Sequence, residues 1–261
     1  MSNKIGVGVV TYKRPDFFKQ CYASVCNANP DVIVVVNDGT PYDGVDVPNL
    51  IQHATNQGVG VSKNDAFKHL LAAGCDHIFV VEDDIIIKHP DAFKVYVAAA
   101  AASGLKHMMY GYHGPANKRG GVPHPRYIVD YGSTKIALNQ HCVGAVCYYA
   151  REVLENVGLN DDKFVNAWEH VEHSLRIVKA GYVPAYWWWP DIANSTDYID
   201  ELACSEENST IRPRADWNNN IMTGAKHFVS KHGVSPVAIP DSSIESVKDS
   251  LKTIYKQHAK R

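Results

Sequence analysis

The first hundred residues alternate between short apolar runs and longer amphipathic segments, a pattern that predicts strands alternating with helices. The apolar runs predict strands at Ile5–Thr11, Val32–Asn37, Asn49–His53 and His77–Val81. Helices are predicted between and after them, at Phe17–Cys26, Gly60–Ala73 and Pro90–Ala102. Strands joined by helices pair in parallel and are covered on both faces. The pattern therefore predicts an α/β fold with a central, mostly parallel sheet flanked by helices.

The second half of the chain is less regular. Strands are predicted at Met108–Tyr112, Gly144–Ala150 and Tyr182–Trp188, and helices at Phe164–Ala180, Trp217–Lys231 and Ser243–Ala259. Gly114–Pro125 carries three glycines and three prolines, which predicts a loop. Because no internal repeat or linker divides the chain, we expect a single domain over residues 1–261.

Composition narrows the class of protein. Lys plus Arg is 26 and Asp plus Glu is 28, so the formal net charge of −2 gives no electrostatic footprint for bulk nucleic-acid binding. Hydrophobic residues make up 45%, enough for a sizeable core. The six cysteines form no C-x-x-C pair, so we expect reduced, buried thiols. No signal peptide is visible and no apolar run is long enough to cross a bilayer, so a cytoplasmic location is expected.

The predicted strand ends carry the first chemical signal. Ligands of open α/β sheets bind at the carboxyl ends of the strands, and here Glu82-Asp83-Asp84 directly follows an apolar strand. Adjacent carboxylates disfavour one another's ionisation, which a bound cation would relieve. Oxygen ligands suit Mg²⁺ or Mn²⁺, although a solvated acidic turn would have the same sequence. No P-loop and no complete dinucleotide-binding glycine motif is present.

The helix predicted at Phe164–Ala180 carries the second signal. Glu169 shares a helix face with Glu172 and His173, three and four residues further on. A carboxylate on this face could act as a general base toward a hydroxyl group. The same spacing could instead hold zinc through Glu169, His170 and His173, or could belong to a solvated helix face.

Aromatic and basic residues of the second half suggest where a second substrate could bind. Aromatic rings stack on sugars and bases, so Trp188, within the run of tryptophans at 187–189, and Trp168 are candidates for an apolar wall. The alternative is that the run belongs to the core. Lys118 and Arg119 lie in the predicted loop, where binding residues are common.

Five segments, in this order along residues 5 to 182, resemble motifs of the family 2 glycosyltransferases. They are Val9-Val10-Thr11-Tyr12-Lys13-Arg14-Pro15, Val35-Val36-Asn37-Asp38-Gly39, Asn56-Gln57-Gly58-Val59-Gly60-Val61-Ser62-Lys63-Asn64, Glu82-Asp83-Asp84, and Glu169 to Arg176 followed by Gly181. The chain departs from the family pattern at three positions. Lys63 replaces an arginine, Glu82 replaces the first Asp of the D-x-D metal motif, and His170 stands where the family often has Asp.

The resemblance implies a GT-A fold, a Rossmann-like fold for nucleotide-diphospho-sugar transferases. It implies a nucleotide-sugar-binding half at residues 1–105, an acceptor and catalytic half at 106–215, and C-terminal helices at 216–261. The implied donor-binding residues are Thr11, Tyr12, Arg14, Asp38, Asn56, Lys63, Glu82 and Asp83. Asp84, with Glu82, would hold the Mn²⁺ or Mg²⁺ ion. The catalytic base would be Glu169, which we favour, or His170.

The resemblance implies a metal-dependent, inverting transferase that uses a nucleotide-sugar donor, with a UDP-sugar favoured. The acceptor would be a glycan or another hydroxyl compound. A hydroxylated base of viral DNA is a second possibility, with phosphate contacts from basic residues, namely Lys118, Arg119, Arg126, Lys135, Arg212 and Arg214. Two other functions stay open for the chain as a whole. It could be a GT-A fold that only binds a sugar nucleotide, or, from the spacing of Glu169, His170 and His173, a zinc hydrolase.

Overall fold

The structure is a computed structural model that describes residues 3–44, 46–202 and 209–259. Its strands are β1 (Ile5–Thr11), β2 (Val32–Asn37), β3 (Leu50–Gln52), β4 (His77–Glu82), β5 (Ile85–Ile87), β6 (His107–Met109), β7 (Lys118–Arg119), β8 (Val122–Pro123), β9 (Tyr127–Asp130), β10 (Lys135–Asn139), β11 (Val146–Ala150), β12 (Trp189–Ile192) and β13 (Ile199–Glu201). Its helices are α1 (Pro15–Asn27), α2 (Val59–Ala72), α3 (Ala92–Ser103), α4 (Arg151–Val157), α5 (Glu169–Lys179), α6 (Trp217–His232) and α7 (Ile244–His258), with a short 3₁₀ turn at Ser195–Asp197.

The central sheet has the strand order β3-β2-β1-β4-β11-β6. The first four strands are parallel, and β11 runs antiparallel between β4 and β6. The four parallel strands therefore end at the same edge of the sheet. The antiparallel strand β11 begins there, so the loop before it also reaches that edge.

Close approach of helix α2 to strand β1 fixes the geometry near this edge. A Cβ atom at Gly8 would lie 2.6 Å from Ala66 Cβ, so a glycine is needed where the helix crosses the strand. Phe67 and Leu70 of the same helix are fully buried against the sheet. This packing places Lys63, one turn earlier on α2, in the interior near the strand ends.

Smaller sheets extend the second half of the chain. β12, β10 and β9 form an antiparallel sheet, β13 pairs with β5, and β7 pairs with β8 in a short hairpin. The pairing of β13 with β5 brings the segment that precedes residue 203 back beside the end of β4. The second half of the fold thereby returns to the edge where the parallel strands end.

The predicted α/β architecture is confirmed, and each predicted strand and helix of the first hundred residues is present with its ends shifted by at most two residues. The predicted loop at Gly114–Pro125 contains the β7–β8 hairpin. Strands β5, β9, β10, β12 and β13 and helix α4 were not predicted, because they are short. The division into functional halves stays a prediction.

Three predicted elements are wrong in extent or type. The strand predicted at Met108–Tyr112 is His107–Met109, three residues shorter at its end. The helix predicted at Phe164–Ala180 begins only at Glu169, because Asn166 and Trp168 have φ angles of 57° and 69°, which a right-handed helix does not accept. The strand predicted at Tyr182–Trp188 does not form. Trp187 has a φ of 68°, and the strand in this region starts at Trp189.

Candidate active site

A cleft with a volume of about 800 Å³ opens at the carboxyl edge of the sheet. Glu82 and Asp84 from the end of β4 line it, together with Glu169 and His170 from the start of α5. A smaller recess continues from the cleft, and both share Arg14 and Glu82 in their walls. Further lining residues of the recess are Thr11, Tyr12, Asp38, Asn56 and Asp83. The structure therefore brings together most of the residues that the sequence predicted for the donor.

The carboxylates after β4 have a cationic partner within the chain. The Arg14 guanidinium forms ion pairs with both Asp83 and Asp84, the latter with 3.0 Å between Nη1 and Oδ2. Thr11 Oγ1 donates to Asp83 Oδ2 at 2.6 Å. Burial raises the pKa of Asp83 to about 6, although Arg14 and Thr11 oppose the shift. Burial also acts on Asp84, but hydrogen bonds from His113 and Arg14 outweigh it and lower its pKa to about 2.

Lys63 is a buried cation that contacts both Glu82 of β4 and Glu169 of α5. Its side chain is 2% exposed, and Nζ donates to Glu82 Oε1 at 2.8 Å and to the carbonyl oxygen of Gly144 at 3.0 Å. Nζ also lies 3.6 Å from Glu169 Oε1. Burial acts to lower the pKa of Lys63, but the two carboxylates reverse this and raise it, so the lysine stays charged. One buried cation is therefore shared by an acid from β4 and an acid from α5.

Glu169 and His170 form a hydrogen-bonded pair at the first turn of α5. His170 Nδ1 lies 2.9 Å from Glu169 Oε1. The start of a helix favours a carboxylate, because unpaired backbone N–H groups point toward it. Burial opposes ionisation of Glu169, but His170 and Lys63 outweigh it and lower its pKa to about 2. A Cβ atom at Gly144 would lie 2.8 Å from His170 Cγ, so the loop before β11 leaves room for the imidazole only because residue 144 is glycine.

The carboxylate of Asp38, predicted to bind the donor, organises the loop after β3. Oδ1 lies 2.7 Å from His53 Nδ1 and accepts from the backbone N–H of Gln57 at 2.7 Å. Oδ2 accepts from Asn56 Nδ2 at 2.7 Å and from the backbone N–H of Gly58 at 2.9 Å. Asp38 thus lines the recess, but both of its carboxylate oxygens are already hydrogen-bonded within the chain. Its bond to Asn56 holds that side chain in the wall of the recess.

The predicted acceptor residues separate into two groups. Trp168 lines the cleft, and its indole Nε1 donates to the Ile221 carbonyl at 3.0 Å. Trp188 is 5% exposed and does not line the cleft, which contradicts its predicted role as an exposed wall. Its Nε1 donates to Asp241 Oδ1 at 2.9 Å, and the Arg126 guanidinium lies 3.6 Å from its ring centroid. It belongs to the core because the predicted strand, which would have alternated the indole faces, does not form.

The predicted basic residues are largely engaged with carboxylates. Lys118 pairs with Glu201 at 2.9 Å, and Arg119, beside it in the hairpin, is exposed and does not line the cleft. Other cations proposed for DNA phosphates also have acidic partners: Arg126 with Asp241, Lys135 with Asp130, and Arg214 with Asp216. Arg212 lines the cleft, and the contacts of the other cations do not favour a nucleic-acid substrate over another acceptor.

Sequence reasoning missed His113, and in the segment after residue 208 it named only Arg212 and Arg214. His113 lines the cleft, and its Nε2 lies 3.4 Å from Asp84 Oδ1. Thr210 and Ile211 line both cleft and recess, and Arg214 Nη1 donates to Asn56 Oδ1 at 3.3 Å. A single histidine in a predicted loop carries no pattern that could have identified it.

The zinc alternative finds no support in the geometry. His173 is fully buried and its Nε2 lies 2.8 Å from the Gly158 carbonyl oxygen, while His170 bonds Glu169. Within the described residues, no group of three or more His, Cys, Asp or Glu side chains is placed to hold a metal ion by itself.

The described cysteines are free thiols, and Cys26 among them is exposed against expectation, whereas Cys204 lies outside the described residues.

Comparison with known proteins finds similarity in structure only. No protein-family model matches the chain, and no curated protein matches its sequence. The structure of S. aureus TarS 1-349 in complex with UDP is 18% identical, with a TM-score of 0.50, over 66% of this chain and 55% of that one. Mannosyltransferase PcManGT from Pyrobaculum calidifontis, in complex with GDP-Man and Mn²⁺, is 15% identical, with a TM-score of 0.52, over 97% and 69%.

GalNAc-T7 with UDP, GalNAc and Mn²⁺ is 10% identical, with a TM-score of 0.58, over 98% of this chain and 55% of that one. The chain thus spans little more than half the length of TarS 1-349 and of GalNAc-T7. In the described part of the chain, no helix is long and apolar enough to cross a membrane. At these identities the likeness is one of fold, and the chain has the GT-A glycosyltransferase fold.

Proposed function

We propose that this protein is a glycosyltransferase that moves a sugar from a nucleotide-diphosphate-sugar to a hydroxyl group of an acceptor. The observation that supports the proposal is that one cleft is lined both by the acidic end of β4 and by the Glu169–His170 pair of α5. One side is suited to a nucleotide diphosphate and the other to proton transfer. Membership of family 2 stays a prediction from the sequence motifs.

The recess beside β1 and β2 is the proposed nucleotide site. Tyr12 and Asn56 supply an aromatic face and an amide at its wall, and Arg14 lies at its junction with the cleft. Arginine forms paired hydrogen bonds with phosphate oxygens as readily as with carboxylates. We assign Arg14 to the diphosphate, with Thr11 and Asp83 shaping the floor. A UDP-sugar is the donor we favour.

A divalent cation fits the acidic end of β4 when it binds together with the donor. Glu82 and Asp84 both line the cleft, and the described residues alone provide no three-ligand cage. Mg²⁺ in nucleotide sites is ordinarily held by one or two carboxylates and completes its shell with phosphate oxygens and water. Asp84, with Glu82, would hold Mn²⁺ or Mg²⁺ in this way. When bound, the cation would neutralise charge on the departing nucleoside diphosphate.

We propose that the acceptor binds between α5 and the loop that carries His113, both of which line the cleft. Trp168 provides an apolar wall there, and the pair Glu169–His170 provides a group that can take a proton. Attack from this side, opposite the leaving diphosphate, inverts the configuration at the anomeric carbon. The proposed enzyme is therefore an inverting transferase.

Donor turnover tests this proposal without knowledge of the acceptor, because water can replace it slowly. The protein is incubated with a panel of UDP- and GDP-sugars and Mn²⁺, and release of nucleoside diphosphate is measured. We expect release from at least one donor and its loss in excess EDTA and in Asp84→Asn. Asp249→Asn, which changes an exposed residue of α7, is the matched control and should behave as wild type. Unchanged release in EDTA would remove the metal from the proposal, and no release from any donor would remove the donor class.

A further inference from the structure

Two neighbouring residues at the start of α5 differ sharply in their access to the cleft. The Glu169 side chain is 4% exposed, whereas the His170 side chain is 25% exposed. Both line the cleft, and the less exposed Glu169 carboxylate lies 3.6 Å from the buried Lys63 Nζ. A substrate hydroxyl that enters the cleft therefore has better access to His170 than to Glu169.

The partners of Glu169 make it a poor proton acceptor. Its Oε1 lies 2.9 Å from His170 Nδ1 and 3.6 Å from Lys63 Nζ, so the same oxygen is held from both sides. His170 and Lys63 lower the pKa of this carboxyl to about 2, although burial opposes the change. A general base works best when its pKa lies near the working pH, and a carboxylate with so low a pKa binds a proton only weakly.

The hydrogen bond between the two side chains also fixes the form of the imidazole. A carboxylate can only accept, so His170 Nδ1 carries the hydrogen, and in the neutral ring Nε2 is the unprotonated nitrogen. A buried carboxylate in this position both orients the ring and stabilises the imidazolium formed when Nε2 takes a proton. The arrangement is a carboxylate–histidine dyad.

We propose that His170 Nε2 is the general base of the transfer and that Glu169 is its positioning residue. The inference rests on the proposed glycosyltransferase function and replaces our sequence-based preference for Glu169. In the reaction the acceptor oxygen forms a bond to the anomeric carbon, and the bond from that carbon to the β-phosphate oxygen breaks. The bonding pair leaves with the nucleoside diphosphate. The acceptor proton moves to Nε2 and later passes to solvent.

The charged and titratable groups around the imidazole come from several elements. Glu169 lies on the same helix, Lys63 faces the pair from α2, and Glu82 reaches it through Lys63 from β4. His107 on β6 is close enough to interact electrostatically, and burial lowers its pKa to about 4, so it is neutral at physiological pH. Lys63 and the two glutamates carry a net charge of −1, which favours the imidazolium formed during the transfer.

The test compares donor turnover with water as acceptor in wild type, His170→Ala, Glu169→Gln and His89→Gln. His89 is exposed and does not line the cleft, so the last variant is the matched control. We expect His170→Ala to lower kcat by roughly a hundredfold or more with donor KM nearly unchanged, and added imidazole to restore part of the rate. Glu169→Gln should lower kcat and move the acidic limb of its pH profile to lower pH, because the imidazolium loses its carboxylate.

The results separate this inference from the proposed function. If wild type releases no nucleoside diphosphate from any donor, the proposed function fails and the dyad assignment falls with it. If wild type turns over and His170→Ala keeps its kcat within twofold, only the assignment of His170 is wrong. Rate loss in Glu169→Gln alone, with the acidic limb gone, would return the role of base to Glu169.

Discussion

Replacing Lys63 with methionine should destabilise the fold far more than replacing any exposed lysine of the same helix. Lys63 Nζ is the shared partner of Glu82 and Glu169, at 2.8 and 3.6 Å, and the side chain is 2% exposed. Methionine fills nearly the same space but leaves the Glu169 carboxylate buried without its cation. Removing one partner of a buried ion pair typically costs about 3–5 kcal/mol. For a chain of this size that corresponds to a fall in Tm of roughly 6–20 °C.

Thermal unfolding by circular dichroism, confirmed by urea titration, measures this cost. Lys68→Met is the control, because Lys68 is on the same helix, pairs with Asp65 at 2.9 Å, and is 62% exposed. A surface pair of this kind contributes about 0–1 kcal/mol. In a Glu169→Gln background the cost of Lys63→Met should shrink by about 0.5–3 kcal/mol, since the uncompensated charge is gone. Equal Tm values for Lys63→Met and Lys68→Met would refute the role given to the buried lysine.

Three further predictions use the same structure. Arg14→Gln removes the guanidinium held by Asp83 and Asp84, so Mn²⁺ should raise its Tm more than it raises that of wild type; equal shifts would contradict competition for these carboxylates. Glu169→Gln should flatten the loss of stability in acid. The pKa of Glu169 is lowered from 4.5 to about 2, so its ionised form stabilises the fold above pH 4.5, and roughly 3 kcal/mol is lost as the pH falls toward 2. Urea titrations at pH 6 and pH 3 check this, and a wild-type slope in the variant would contradict it. Trp188→Ala should lower the unfolding free energy by about 3–5 kcal/mol while donor turnover per folded molecule stays unchanged, and wild-type stability would show that the indole is not core.

The fold and the donor side of the cleft could be predicted because they depend on local sequence patterns. Apolar runs fix β1, β2 and β4, and parallel strands necessarily bring their carboxyl ends to one edge. The polar residues that follow those strands, such as Arg14 and Asp83, therefore had to meet. Lys63 was singled out only by its place in a motif. Its contact with Glu169 joins residues 106 positions apart in the sequence, and no local pattern shows it.

The acceptor side could not be predicted, because its residues come from irregular backbone. Asn166 and Trp168 both take positive φ angles, so the helix begins at Glu169 and not at the predicted Phe164. The difference in exposure between Glu169 and His170 follows from that start point. A positive φ at Trp187 likewise removes the strand that would have exposed one face of Trp188. Such angles in residues other than glycine are set by tertiary packing.

Binding of a nucleotide sugar to the cleft is the central claim, and calorimetric titration tests it most directly. UDP-sugars and GDP-sugars are titrated into the protein with Mn²⁺ and then in EDTA, with wild type, Asp84→Asn and the control Asp249→Asn. The account predicts saturable binding of at least one donor to wild type and the control, weakened at least tenfold in EDTA and in Asp84→Asn. No binding of any nucleotide sugar to wild type, or binding that neither EDTA nor Asp84→Asn changes, would contradict the account.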